Sequence, residues 1–438
     1  MTGRIVNGML VSLLLLAGMV HAEAGETRGR NVPFPEQMTG TLQLEEVLSA
    51  ALAWNPQLMA QGYQFRAAED LAQQSRALPN PELAFEMGEV DRDGEMFDAA
   101  EWSISLGQAV ELGGKRKWRI RQAELEGEIA EWDWQVQRLD VVTQTHQRFA
   151  RVLANQMRVS LAEATIKVAE GTSDAVEDRV KAGKEPPLQA AKARAELELT
   201  RLELLEVENE LRSSRKNLAA MWGSEEALFD KVEGEFAELP SGDISLSMLR
   251  KKMDLSPEMG RWESEQRLME AALSSEKAAR VPDLDLSAAY NYYREDGTEA
   301  MAFGIGLPLP LFNRNAASIS AARRSLVQSA EEQHAAEIEL AATLSEEHAG
   351  LVLAIKRVRA LESKVLPAME DAFEAASIGY RQGKFGFLDM LDAQRGLFEA
   401  RVTLVDARLD YHNALAEIHR IVGEPMETST LRKEEGSR

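Results

Sequence analysis

The chain is 438 residues long, with 50 Lys and Arg against 72 Asp and Glu, a formal net charge of −22, and no cysteine. That charge opposes nonspecific nucleic-acid binding, and the missing cysteines exclude disulfides, thiolate zinc sites, cysteine nucleophiles and a lipidated N-terminal Cys. With 45% hydrophobic residues and only 6% aromatic ones, the chain can build a core, and its composition favours long helices over an all-β fold.

At the start of the chain, Arg4 precedes an apolar run from Met9 to Val20 that ends in small-residue sites at Val20-His21-Ala22 and Ala22-Glu23-Ala24. Residues 1–24 therefore read as a secretory signal peptide, since about 12 apolar residues are too few to span a membrane. No later stretch approaches the roughly 18 uncharged apolar residues of a spanning helix. An exported chain of this kind meets a membrane only through a surface helix, a partner or a β-barrel.

The rest is one unit written twice. Asn55-Pro56 answers Ser256-Pro257, and Pro81-Glu82-Leu83 answers Pro282-Asp283-Leu284, both 201 residues apart. Gly183 and Gly383, Leu188 and Leu388, and Gly223 and Gly423 follow at an offset of 200. The pattern predicts a first structural repeat over 25–223, a linker over 224–242, a second repeat over 243–423 and a polar tail over 424–438.

Each repeat opens with a helical stretch and continues into two strand-like segments, about 82–88 and 101–112 in the first and 283–293 and 301–311 in the second. Leu83, Phe85 and Met87 alternate with Glu82, Ala84 and Glu86, and Met301, Phe303 and Ile305 alternate with Ala and Gly. Period-2 strands of about ten residues suffice to cross a bilayer when tilted, and Tyr290, Tyr292 and Tyr293 suit a membrane interface. Four strands cannot close a barrel, and open edges cannot sit in lipid, so a membrane location requires several copies of the chain. Periodicity alone leaves a second arrangement equally open, two hairpins of a soluble sheet capping a helical bundle. The helices that follow are very long. Residues 115–171 contain no proline and 315–380 only Pro367, which predicts helices on the order of 80–100 Å. A soluble periplasmic coiled-coil scaffold satisfies that length as well as a tube does.

Certain motifs narrow the choice. Asn80-Pro81-Glu82-Leu83, Leu112-Gly113-Gly114-Lys115-Arg116, Pro308-Leu309-Pro310-Leu311-Phe312-Asn313-Arg314-Asn315 and Leu388-Asp389-Met390-Leu391-Asp392 resemble the TolC-like outer-membrane efflux channels. The junctions at Gly113 to Arg116 and at Pro308 to Arg314 look most like the cobalt–zinc–cadmium exporter branch. The resemblance implies a mainly α fold with a membrane β-barrel. Three copies would form one twelve-stranded outer-membrane barrel continuous with a periplasmic helical barrel. It further implies a periplasmic adaptor, an inner-membrane resistance-nodulation-division pump and outer-membrane lipid as partners. The implied function is a passive, gated exit duct for divalent heavy-metal cations, with drugs or other small molecules as the alternative cargo.

By the same resemblance, Asp389 and Asp392 ring a periplasmic gate and Tyr380 ties neighbouring helices. The tips of the two helical hairpins then fall at Gly183 and at Gly383, Lys384 and Phe385. Lys384 and Phe385 stand where some relatives place an arginine. A bland account of the aspartates competes, because acidic residues in a first helical turn favourably meet the helix dipole. Gly113-Gly114 suits a tight strand-to-helix turn, with Lys115 and Arg116 either solvated or near lipid headgroups. Pro308 and Pro310 cannot donate ladder bonds and mark a strand end. No H-E-x-x-H, P-loop, dinucleotide fingerprint or G-x-S-x-G survives inspection, and the six histidines are scattered. No catalytic residue, cofactor or resident metal is therefore assigned.

Overall fold

In the computed structural model, residues 35–88, 101–236, 238–240, 242, 244–293 and 297–424 are described. The signal-peptide segment, the 89–100 loop and all of the polar tail except Glu424 lie outside them. The elements in chain order are β1 (Gly40–Gln43), α1 (Leu44–Trp54), α2 (Pro56–Gln74), β2 (Glu82–Gly88), β3 (Glu101–Val110), α3 (Lys115–Lys181), α4 (Pro187–Ala219), β4 (Phe229–Glu233), α5 (Leu246–Met253), α6 (Pro257–Ala278), β5 (Leu284–Tyr293), β6 (Thr298–Gly306), α7 (Ala316–Ala360), α8 (Leu366–Arg381) and α9 (Phe387–Val422).

The repeat is visible in its caps. Asn55 Oδ1 accepts from the Gln57 and Leu58 N–H groups, both at 3.0 Å, ahead of Pro56 at the first turn of α2. Ser256 Oγ does the same for Met259 N ahead of Pro257 in α6. Side-chain oxygens at this position satisfy N–H groups that a helix start leaves unpaired, and proline has none to lose.

Strands β2, β3, β5 and β6 form one antiparallel sheet in that order, so the hairpins of both repeats join side by side. The register runs Phe85, Ile104, Tyr290, Met301 across the sheet, with Glu82, Gly107, Ser287, Gly304 in another row. Because side chains alternate faces, one face gathers Leu83, Phe85, Met87, Ile104, Leu106, Leu286, Met301, Phe303 and Ile305, all exposed. The opposite face carries small and polar groups such as Glu86, Ser103 and Asn291 in a third row. Trp102 packs on Tyr290 and Tyr292, both at 5.6 Å between ring centroids, on the apolar face at one end. Water does not tolerate such a face, whereas lipid does. No described helix is long and apolar enough to cross a membrane.

Two strand boundaries differ from expectation. β6 covers Thr298–Gly306 instead of 301–311, because Pro308 and Pro310 lack the N–H a ladder needs, and Leu311 N turns back to Leu309 O at 2.8 Å. β3 ends at Val110 rather than 112, where Gly113 begins the turn.

The segment expected to be only a linker holds β4, which pairs in parallel with β1. Phe229 and Val232 of β4 join Met38, Leu42, Phe149 and Trp222 in a core beside the middle of α3. The Gln156 amide of α3 serves as a substitute neighbouring strand: Nε2 donates to Val232 O at 2.9 Å and Oε1 accepts from Val232 N at 2.8 Å. Gln156→Leu leaves both backbone groups unpaired, and we expect apparent Tm to fall by about 2–4 °C. An unchanged melting curve in detergent would show that water replaces the amide at no cost.

Helix α3 runs 67 residues, about 100 Å. The second repeat breaks its matching helix with a wide π turn over Leu361–Val365, after which Pro367 stands in the first turn of α8. A proline ring crowds the carbonyl four residues before it, and a widened turn relieves that crowding.

Candidate functional site

The two helical hairpins turn at the end of the molecule far from the sheet, and they turn alike. Gly183 adopts φ +70° and Gly383 φ +75°, the left-handed region that glycine enters without cost. Gly183 N donates to Val180 O at 3.0 Å and Lys184 N to Arg179 O at 2.8 Å. The second hairpin repeats this with Gly383 N to Tyr380 O at 3.0 Å and Lys384 N to Gly379 O at 2.8 Å.

Below the turns a small core of Val176, Ala190, Ala193, Ala376, Tyr380, Phe387, Met390 and Leu391 joins the hairpins. Tyr380 is 2% exposed, and its ring meets the Phe387 ring at 6.4 Å in an edge contact. Burial pushes the Tyr380 phenol above its ordinary value, and the Glu185 carboxylate pushes it further. The ring is therefore neutral at any physiological pH.

Asp389 and Asp392 both lie exposed near the start of α9, three residues apart and hence neighbours on one helical face. Asp389 Oδ2 accepts from Gly386 N at 2.9 Å. That bond satisfies an N–H at the helix start, so the bland account of Asp389 holds within one chain. Asp392 has no such cap; nearby Arg395 is instead ion-paired to Glu196 of α4, with Nε donating to Oε1 at 2.7 Å. Lys384 is exposed, and Phe385 lies against Gly379, where an added Cβ would overlap the Phe385 ring. Phe385 thus folds onto its own hairpin.

The strand-to-helix junctions form a separate constellation at the sheet end. Gly113 and Gly114 take φ +71° and φ +80°. Lys115 Nζ sits 2.8 Å from Asp283 Oδ1, which also accepts from Leu112 N at 3.0 Å. Arg116 Nη2 donates to Arg76 O at 2.7 Å, and Arg119 Nη2 to Ala77 O at 3.0 Å. Lys115 thus joins the first repeat to the second, while Arg116 and Arg119 tie the start of α3 to the chain just after α2 within the first repeat. Pro308, Pro310, Asn313 and Arg314 lie exposed between β6 and α7. Asn313 Oδ1 accepts from Asn315 N at 3.0 Å, and Asn315, at φ +56°, donates to Glu276 O at 2.9 Å.

Sequence reasoning missed Arg179 and Glu185 at the tip, and Asp283 and Asn315 at the junctions. The repeat offset gives no signal for the first, because at the tip Arg179 matches Gly379, 200 residues on. Among the described residues no group of three or more His, Asp or Glu is placed to hold a metal.

A membrane-facing sheet at one end and hairpins of 100 Å scale at the other define a class of protein, the outer-membrane ducts. The chain belongs to the outer membrane efflux protein family, which matches residues 47–224 and 250–424 in two blocks. It is similar to the cobalt-zinc-cadmium resistance protein CzcC of Cupriavidus metallidurans, with 34% identity covering 89% of this chain and 92% of that protein. It also resembles the nickel-cobalt-cadmium resistance protein NccC of Alcaligenes xylosoxydans, 27% identical over 65% of this chain and 66% of that one. Its fold matches the crystal structure of the channel CusC at a TM-score of 0.76 and 19% identity, covering 90% of this chain and 94% of that one. The chain is thus an outer-membrane efflux channel, and the soluble-scaffold alternative falls.

Proposed function

We propose that three copies of this chain close a twelve-stranded barrel and act as the gated exit duct of a tripartite pump for divalent heavy-metal cations. The barrel is supported by the sheet itself. Its edges β2 and β6 are unpaired in one chain, and lipid offers no partner for an open edge. In that closure the apolar face meets lipid, and the face with Glu82, Glu86 and Ser103 lines the passage. A periplasmic adaptor and an inner-membrane resistance-nodulation-division pump would complete the system, since nothing in the sequence binds nucleotide. The metal cargo is supported by the names of the relatives, CzcC and NccC among them.

One observation carries the gate: Asp389 and Asp392 stand exposed on one face at the apex of the second hairpin. The first hairpin has Gln189 and Lys192 at the matching positions, so each copy would contribute one acidic pair. Six carboxylates around a narrow pore concentrate negative potential, attract cations and repel anions. Tyr380 would hold the helix that displays them.

Reversal potentials in asymmetric KCl across a planar bilayer test this. The wild-type trimer is expected to prefer cations, and Asp389→Ala/Asp392→Ala to shift the reversal potential toward zero while raising conductance. A variant with wild-type selectivity and conductance would move the gate elsewhere in the duct.

A further inference from the structure

The last turn of α3 carries a side chain that no motif explains. Arg179 reaches out of the first hairpin and grips the second. Its Nη1 donates to Tyr380 O at 3.1 Å, and its guanidinium lies 4.8 Å from the centroid of the Tyr380 ring. Its Nη2 stands 3.4 Å from Glu185 Oε1, just past the first hairpin's own turn. Arg and Glu side chains are 23% and 15% exposed, so this pair is shielded from water far better than the tip's other ion pairs, such as Lys181 with Asp178.

Each contact has a physical purpose. Tyr380 O belongs to the C-terminal end of α8, where unpaired carbonyls carry partial negative charge and a cation is favoured. It already accepts from Gly383 N, so Arg179 binds the hairpin turn at its hinge. The flat guanidinium covers the aromatic face, while Phe387 holds the ring from another side. The Tyr380 hydroxyl has no hydrogen-bond partner among the described residues. Within the chain, ring face and backbone carbonyl therefore hold Tyr380, and not its hydroxyl. Phe387 is the first residue of α9, two before Asp389. A continuous line of contacts thus runs from α3 through Arg179, Tyr380 and Phe387 to the aspartates.

We propose that Arg179 is the closed-state clasp of the tip, a positioning residue that locks the first hairpin to the second and holds α9 with its aspartates inward. This rests on the gate reading above and names the restraint that must release for the duct to open. The restraint lies inside one chain, in a channel whose Phe385 turns back on its own hairpin.

The test uses the full-length trimer in planar bilayers, with tryptic cleavage at Lys384 as a second readout. Arg179→Gln is expected to raise open time roughly tenfold, as loss of a charge-assisted bond would, and to speed cleavage after Lys384. Arg179→Lys keeps the charge beside Glu185 but has no planar face to stack, so it should fall between wild type and Arg179→Gln. Arg194→Gln, a like loss of charge on α4 whose nearest carboxylate, Glu177, is 3.9 Å away, should match wild type in both readouts. A melting curve of Arg179→Gln like that of wild type would show that the change is not general unfolding.

Wild-type open time and cleavage rate in Arg179→Gln overturn the clasp. If Asp389→Asn/Asp392→Asn still alters cation selectivity in that case, the gate stands without it. If neither set of variants changes the channel, the gate falls and takes the clasp with it.

Discussion

Gly113→Ala is expected to abolish most of the assembled trimer, whereas Gly114→Ala next to it is expected to be tolerated. Both glycines have positive φ, and an L side chain there costs about 1–2 kcal/mol. Their surroundings differ. A Cβ on Gly113 would lie 2.7 Å from Val281 Cβ and 2.9 Å from Ala278 O, while one on Gly114 would meet nothing within 4 Å. Neither neighbour can step aside easily, because Ala278 O is backbone at the end of α6 and Val281 leads into β5. Overpacking of this kind adds about 1–3 kcal/mol, so Gly113→Ala should cost about 2–5 kcal/mol in each copy of the proposed trimer. The junction joins the barrel to the helices and the first repeat to the second, so the defect strikes where strands must enter the membrane in register. The fraction of SDS-resistant trimer after refolding into detergent measures it. Equal trimer yields from the two variants would mean that α6 and β5 yield to the added methyl.

Acid is expected to weaken the periplasmic helices well above the range in which ordinary carboxylates titrate. His146 of α3 and His412 of α9 are each 2% exposed. Both ring nitrogens of His146 lack a partner among the described residues, and the His412 ring packs 5.1 Å from Phe236. Burial first, then His419 beside His146, and His146 and Arg408 beside His412, push both down to about 4. The unfolded chain titrates near 6.5, so between these values it binds more protons than the folded one. Stability then rises with pH. It is complete above pH 6.5 and is lost as pH falls toward 4, by on the order of 3 kcal/mol for His146 at the acid limit. Melting temperatures from pH 7.5 to 4.5 should therefore decline, and His146→Leu should flatten the curve. A variant curve parallel to wild type would assign the acid sensitivity to the carboxylates, which lose their charge lower down the scale.

The strand hairpins were legible because a half-buried strand writes its two faces at period 2, and Leu83 to Met87 or Met301 to Ile305 need no distant partner to show it. The end of β6 was less legible. Leu307, Leu309 and Leu311 continue the alternation, yet prolines between them remove the hydrogen bonds that alternation implies. β1 and β4 left no trace, since four and five residues are too short for periodicity, and each is defined by a partner nearly 190 residues away. At the tip, Asp389, Asp392 and Tyr380 could be named through resemblance, but Arg179 looked like any charge on a long helix.

By itself, then, the sequence determined what is local or periodic: the duplication, with Asn55-Pro56 answering Ser256-Pro257, the glycine turns at 183 and 383, and strands too few to close alone. Tertiary structure decided what depends on two distant segments meeting. It buried His146 against α9, made Lys115 a bracket to Asp283, and brought Arg179 over Tyr380. Those outcomes depend on desolvation and distance, and neither quantity exists until helices 200 residues apart in the chain pack side by side.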